Sequence, residues 1–345
     1  MTNEPFPHIV VPPEPEPAPP LILLPEHTET RLSLQSLSGA AALVLMFFAS
    51  ASVTAAYFSY ESAAASSASQ IASVAAAIED PFDSVSLTAG GAYVLDLTTD
   101  RVLYSKNPDS QMPLASLVKV PLVLAASEVL ESNSLVPIPP HETPDGAGVR
   151  LPSGLRFKAG DLIDFTLVAS SNEGAVILAE AAEKKLRAKY PLATPGNATL
   201  WRMNDIAKNL GLTNMIFLNT HGLDLSDTQA SAYGSARDVA LLFGHAAKTS
   251  PTLFGQTSQD TVKIRATTGE TVTAVNTDEV LPAIPGIVMG KTGFTELAGG
   301  NLAIVFEVGP AHPVVAVVLH STRDGRFEDM KKLVAATLEA IAAGQ

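Results

Sequence analysis

Pro113 to Leu130 constrains this chain more than any other stretch. After Pro-Leu-Ala-Ser it runs apolar, with only Lys119 and Glu128 charged. That pattern predicts a largely buried helix with a polar first turn, and Pro121 must either kink it or lie close to its start. Ser116 and Lys119 are three residues apart and so share one helix face. A lysine in a first turn opposes the helix dipole, which prefers cations at the other end. Flanked by Val118 and Val120, it is not there for helix stability. If that face is buried, the ammonium loses hydration and its pKa falls. A neutral amine one turn from a hydroxyl is a base for that hydroxyl. Taken alone, Ser-x-x-Lys is a short pattern, and an exposed lysine beside a helix-start serine is the simpler reading.

The rest of the chain narrows the choice. Its 345 residues are 46% apolar, enough for one large domain or two small ones. A net charge of −13 with no basic stripe argues against a nucleic-acid partner. Cysteine is absent, which excludes disulfides and thiolate metal sites and leaves the redox compartment unread.

Residues 1–36 are rich in proline and glutamate and are expected to be a disordered tail. No charge occurs between Arg31 and Glu61, and residues 37–58 are apolar or small throughout. That length crosses a hydrocarbon layer of about 30 Å as a helix. Arg31 precedes it and no Lys or Arg follows until Arg101, which orients the tail to the cytoplasm and exports the rest. The expected location is therefore the cell membrane, single-pass. The alternative is a cleaved signal peptide, with small-residue sites at Ala49-Ser50-Ala51 and Val53-Thr54-Ala55. Residues 59–85 read as an Ala/Ser-rich stalk and 86–345 as the folded domain.

Ala92 to Leu97 and Val102 to Ser105 read as a hairpin. Five prolines break Asn133 to Gly160 into loop. Asp161 to Glu183 is helical with a polar break at Ser170-Ser171-Asn172. Leu200 to Leu210 and Tyr233 to Lys248 are helical, Ser235 being an N-cap for the latter. Ile287 to Met289, Asn301 to Val308 and Pro313 to His320 read as strands, the last dense in valine like a buried strand. Arg326 to Ala343 closes as an amphipathic helix with Phe327, Met330, Leu333, Val334, Leu338 and Ile341 as its stripe. The fold class is α/β in the α+β sense: an antiparallel sheet from both ends of the domain, flanked by helices, with an inserted helical lobe.

Three signals carry chemistry together: Ser116-Leu-Val-Lys119, Ser170-Ser171-Asn172 and Lys291-Thr292-Gly293. Buried polar groups need partners, and a lysine, serine and asparagine facing one cleft satisfy each other. Gly286 to Thr292 approaches a phosphate-binding loop, but one residue is missing between its glycines and a strand-rich stretch follows. No His-Glu-x-x-His exists for a zinc peptidase.

The triple resembles that of penicillin-binding proteins and class A β-lactamases. Asn219-Thr-His-Gly-Leu-Asp224, Tyr233-Gly-Ser-Ala-Arg-Asp238 and Lys291-Thr-Gly-Phe-Thr295 with Ala298-Gly-Gly300 are similar to segments of the D-alanyl-D-alanine carboxypeptidases, the low-molecular-mass penicillin-binding proteins. The resemblance covers Gly91 to the C-terminus. It implies Ser116 as nucleophile on the D-Ala-D-Ala carbonyl, Lys119 as its base and Ser170 as proton relay to the leaving D-alanine. Asn172 would hold the substrate amide, and Lys291 and Thr292, with Arg326, the terminal carboxylate. The oxyanion would lie between the Ser116 and Phe294 N–H groups, beside Gly293. No metal or cofactor is implied. The implied partners are peptidoglycan stem peptides ending in D-Ala-D-Ala, β-lactams as covalent inhibitors, and the membrane through the N-terminal helix.

His221 more simply shapes a turn, Arg237 and Asp238 brace the lobe, and Trp201 is core. Many relatives carry their anchor after a further β-rich domain, whereas here it is expected at the N-terminus. The alternatives are a D,D-endopeptidase using the same parts, a class A-like β-lactamase, which needs a Glu-x-x-Leu-Asn segment not found between Asn172 and Lys291, and a β-lactam sensor that acylates without turnover.

Overall fold

The computed structural model describes residues 56–57, 59–62, 80–140 and 150–344. The tail at 1–36 lies outside these residues, as does the apolar segment 37–58 except for 56–57, which are helical and exposed. Among the described residues no helix is long and apolar enough to cross a membrane. A folded unit begins at Glu79. Residues 80–85, placed in the stalk by sequence, therefore belong to it. Phe82 explains why: it is buried and stacks on Tyr104 at 5.3 Å.

The unit opens with β1 (Gly91–Asp96) and β2 (Val102–Lys106) and continues through β3 (Met112–Pro113), a 3-10 turn at Ala115–Val118 and α1 (Lys119–Ser127). The expected helix is thus a tight turn that runs into an α-helix. Pro121 sits in the first turn of α1, where its missing N–H would lack an intrahelical partner anyway. β4 (Leu135–Pro137) and β5 (Arg156–Lys158) pair within the proline-rich stretch read as loop. The lobe follows as α2 (Ala159–Val168), α3 (Asn172–Lys189) and α4 (Ala198–Asn209). The polar break falls between α2 and α3, where the Ser171 side chain caps α3 by accepting from the Gly174 N–H.

β6 (Ile216–Phe217) and β7 (Ala232–Gly234) join β3 in a small sheet. Then come α5 (Ala236–Thr249), capped by Ser235 as expected, and the short α6 (Pro251–Phe254). The hairpin β8 (Thr261–Arg265) and β9 (Thr271–Val275) precedes β10 (Ile287–Thr295), β11 (Gly299–Glu307), β12 (Pro313–Ser321) and α7 (Gly325–Ala342).

The main sheet runs β10-β11-β12-β1-β2, with every described pairing antiparallel, so both ends of the unit build it. Strand alternation divides the core. On β12, Val314, Ala316 and Val318 face the layer with Phe327, Met330 and Leu333 of α7. Val315, Val317 and Leu319 face the layer shared with α5 and the lobe. That double burial is what the run of valines encodes. The α7 stripe differs from expectation at one end: Leu338 is 41% exposed, while Ala336, Thr337 and Ala340 are buried. The Asp329 carboxylate accepts from the Thr88 and Ala89 N–H groups and the Ser321 hydroxyl, pinning the start of the unit to α7.

Candidate active site

The main sheet and the lobe meet at a cleft of about 530 Å³. Ser116, Ser170, Asn172, Thr292, Gly293, Phe294 and Arg326, all singled out by sequence, line it. Lys119 and Lys291 lie beneath, with 0% and 2% of their surface exposed.

Backbone strain and close packing put Ser116 where it is. Ala115, just before it, has φ +48, a left-handed conformation a non-glycine residue adopts only when its surroundings force it. Two glycines supply that force. At Gly293 a Cβ would come within 2.8 Å of the Leu114 carbonyl oxygen and 3.3 Å of the Ser116 nitrogen. At Gly222, which itself has φ +95, a Cβ would lie 2.8 Å from the Ala115 oxygen. β10 and the 219–224 loop therefore press on the Ser116 turn from two sides. The buried Asn301 fastens it from behind, donating to the Pro113 carbonyl at 2.9 Å and accepting from the His320 N–H at 2.8 Å.

Lys119 Nζ lies 2.8 Å from Ser116 Oγ, 2.8 Å from Asn172 Oδ1 and against the backbone carbonyl of His221. Two of these neighbours can only accept. A neutral amine has two N–H groups and one lone pair. In a neutral Lys119 the two carbonyls would take the N–H groups and leave the lone pair for the Ser116 hydroxyl. Burial pushes the Lys119 pKa well below its ordinary value, and the nearby Lys291 lowers it further. Burial thus favours the uncharged amine at this position.

Ser170 also sits in the left-handed region, at φ +54, on the turn between α2 and α3. Its hydroxyl accepts from Lys291 Nζ at 2.8 Å, and Lys291 also donates to the Thr292 carbonyl at 2.8 Å. Burial, then the Arg326 charge, push Lys291 down to about 7, while Asp278 works in the opposite direction. β10 continues past Lys291 and Thr292 to Thr295, so no helix N-terminus follows them to hold a phosphate.

Arg326 Nη1 donates to the Gly293 carbonyl at 2.8 Å, and its guanidinium borders the cleft. Arg323 borders the same end and lies 4.9 Å over the Phe294 ring. Sequence reasoning missed Arg323, although it lies three residues from Arg326 in a polar run before the last helix. It also missed the His221 carbonyl. The His221 ring shapes its turn as expected, accepting from the Leu223 N–H, but the backbone oxygen is what touches Lys119. Arg237 braces Asp109 and Tyr93, and Trp201 packs against the core beside Tyr190.

A profile of the Peptidase S11 family, D-alanyl-D-alanine carboxypeptidase, matches residues 74–323. This chain belongs to that family. The S11 chain is 29% identical over 249 residues to D-alanyl-D-alanine carboxypeptidase DacB2 of Mycobacterium tuberculosis, covering 71% of this chain and 80% of that one. It is 32% identical over 242 residues to a D-alanyl-D-alanine endopeptidase of Pseudomonas aeruginosa, covering 68% of this chain and 71% of the other. Against DacF of Bacillus subtilis it is 26% identical and spans 61% of that protein's length. Penicillin-binding protein D2 of Listeria monocytogenes, solved with cefotaxime bound, superposes with a TM-score of 0.62 at 26% identity, covering 73% of this chain and 98% of its own. Members of the S11 family are serine peptidases, and around Ser116 the structure gathers a buried lysine at 2.8 Å and a second hydroxyl, that of Ser170, held by Lys291.

Proposed function

We propose that the chain removes the terminal D-alanine from peptidoglycan stem peptides ending in D-Ala-D-Ala, through an acyl-enzyme on Ser116. The observation that carries this reading is Lys119, fully buried with its Nζ 2.8 Å from Ser116 Oγ and its pKa pushed well below the ordinary value by burial.

Lys119 takes the Ser116 proton as the oxygen attacks the carbonyl between the two D-alanines. The oxyanion forms between the N–H groups of Ser116 and Phe294, fixed donors that act only as charge develops. Asn172 Oδ1 is held by Lys119, so its amide nitrogen is left to donate to the substrate backbone. Lys291 holds the Ser170 hydroxyl, which relays to the leaving amine the proton that Lys119 took, so Lys119 is neutral again before water attacks. The departing D-alanine carries a carboxylate, and the cleft end that Thr292, Arg323 and Arg326 border, above Lys291, supplies the matching donors. Water then cleaves the acyl-enzyme. β-Lactams would acylate Ser116 by the same route, as the cefotaxime complex of the Listeria relative suggests. The apolar segment 37–58 would hold the domain at the outer face of the membrane as a single-pass anchor with the tail in the cytoplasm.

Mass spectrometry of a D-Ala-D-Ala peptide treated with wild type and Ser116→Ala tests the reading. Loss of one alanine with wild type alone is the expected result. Persistent labelling of Ser116→Ala by fluorescent penicillin would remove Ser116 as nucleophile. The Pseudomonas endopeptidase, at 32% identity, motivates a second substrate in the same assay. Cleavage of a cross-linked dimer in preference to the linear peptide would make endopeptidase the main activity.

A further inference from the structure

We propose that Thr277 is a positioning residue that orients the Thr292 hydroxyl toward the substrate's terminal carboxylate. This rests on the peptidase reading above.

Thr277 Oγ1 lies 2.6 Å from Thr292 Oγ1, and either hydroxyl can be the donor. Each hydroxyl has a single proton. If Thr292 spends its proton on Thr277, it turns lone pairs toward the cleft and repels an anion. If Thr277 donates, the Thr292 proton is free to point at the carboxylate. An arriving anion selects the second arrangement, and the two hydrogen bonds then polarise each other in one direction, from Thr277 through Thr292 to the carboxylate. Without the Thr277 hydroxyl, Thr292 keeps its proton but loses the partner that aims it.

Thr277 is held firmly enough to do this. Its N–H donates to the carbonyl of Val168, the last residue of α2, two residues before Ser170. The neighbouring Asn276 side chain donates to the carbonyls of Thr257 and Gln259 at 2.8 and 2.9 Å and accepts from the Asp278 N–H at 2.9 Å. Thr257 in turn accepts from the Gly290 N–H of β10 at 3.0 Å. The segment after β9 is thus tied both to the strand that carries Thr292 and to the turn that carries Ser170. Thr277 itself borders the cleft with Asn276 and Glu279.

The test is steady-state kinetics of the full-length chain on a peptide ending in D-Ala-D-Ala and on its C-terminal amide, with wild type, Thr277→Val and Thr277→Ser. For the free-acid peptide, Thr277→Val should raise KM about two- to tenfold, the range one neutral hydrogen bond supplies, with kcat changed less than about twofold. On the amide it should change little. Thr277→Ser should stay near wild type on both. In a Thr292→Val background, Thr277→Val should cost nothing further.

Equal losses on acid and amide, a fall in kcat with KM unchanged, or a Thr277→Ser variant as impaired as Thr277→Val would each overturn the role, since a packing function predicts them. Thermal melting and penicillin labelling identify a misfolded Thr277→Val, in which case the acid-to-amide ratio of Thr277→Ser and the Thr292→Val background decide. Wild type that releases no D-alanine removes the proposed activity and this role with it. Wild type that turns over beside an unaffected Thr277→Val removes the role alone.

Discussion

The two walls of the cleft each bury a lysine, and they use it differently. On the helical wall, Lys119 is surrounded by two carbonyl oxygens and the Ser116 hydroxyl. On the strand wall, Lys291 donates to the Ser170 hydroxyl and the Thr292 carbonyl and sits in the field of the buried Asp278. Burial pushes both amines toward neutrality. Lys291 sits at about 7, pushed down by burial and by Arg326, with the buried Asp278 a smaller influence in the opposite direction. On the proposed reading, equal burial would give a base on one side and a group able to carry charge on the other. What separates them is their surroundings: two carbonyls and the Ser116 hydroxyl around Lys119, and the Ser170 hydroxyl, Arg326 and Asp278 around Lys291.

The harshest way to break this comparison is to exchange the roles. Lys119→Met should lower the rate of penicillin acylation by about 10³- to 10⁴-fold, the upper range for a lost general base. Lys119→Arg should not rescue it, because a guanidinium stays protonated and has no lone pair to offer. Stopped-flow acylation measures both. Near-wild-type acylation by Lys119→Arg would mean that the position needs a charge, and the contrast between the walls would be gone.

Lys291→Gln should cost less, about 10- to 10²-fold in kcat/KM for a D-Ala-D-Ala peptide, as expected for one charge-assisted hydrogen bond. The loss should be smaller on the C-terminal amide. A loss as deep as that of Lys119→Met, and equal on both peptides, would assign proton transfer to both lysines.

Gly293→Ala tests the contact between the walls. Its new Cβ meets backbone atoms, the Leu114 oxygen at 2.8 Å and the Ser116 nitrogen at 3.3 Å, which cannot rotate away. Overpacking of this kind costs about 1–3 kcal/mol. The melting temperature should drop by several degrees, with acylation slowed about tenfold as the nucleophile turn shifts from β10. An unchanged melting point would show that the walls are more loosely apposed than this geometry requires.

How much of this was legible in the sequence follows from the same contrast. Ser116 and Lys119 are three residues apart on one turn, and Lys291, Thr292 and Gly293 are consecutive, so local spacing exposes them. Ser170 and Asn172 showed as a polar break in an apolar helical run. The partners that tune these groups carry no such mark. His221 acts through its backbone oxygen, which every residue has. Thr277 and Asp278 lie in the connection between a hairpin and a strand, and only the fold brings them to β10. The β8–β9 hairpin itself alternates in Thr-Val-Lys-Ile-Arg and Thr-Val-Thr-Ala-Val, a readable period that lies apart from the motifs. The pair β4–β5 was hidden by prolines, which an edge pairing of three residues tolerates.

The gentlest test is also the most direct one for the influence of Asp278. Asp278 is 4% exposed, its Oδ1 accepts from the Val280 N–H, and its Oδ2 has no hydrogen-bond partner. Burial raises its pKa from 3.8 to about 6, even though Val280, Lys291 and Arg326 all pull the other way. A carboxyl whose folded pKa is raised holds its proton more tightly in the native state than in the unfolded chain, so wild-type stability falls as the pH climbs from about 4 to about 6 and then levels. Asp278→Asn removes that titration and keeps an acceptor for Val280. The melting temperature of the variant relative to wild type should therefore rise across that window and stay constant above it, the gap growing by up to about 3 kcal/mol for two pKa units. Activity should move the opposite way. With the anion gone nothing holds Lys291 up, its pKa drops below about 7, and the alkaline limb of kcat/KM on the D-Ala-D-Ala peptide shifts to lower pH, while acylation by a neutral ester of the substrate shifts less. A melting difference that is flat from pH 4 to 7, together with an unmoved alkaline limb, would leave Asp278 without a hold on Lys291, and the two lysines would then have to be told apart by their hydrogen-bond partners and by Arg326.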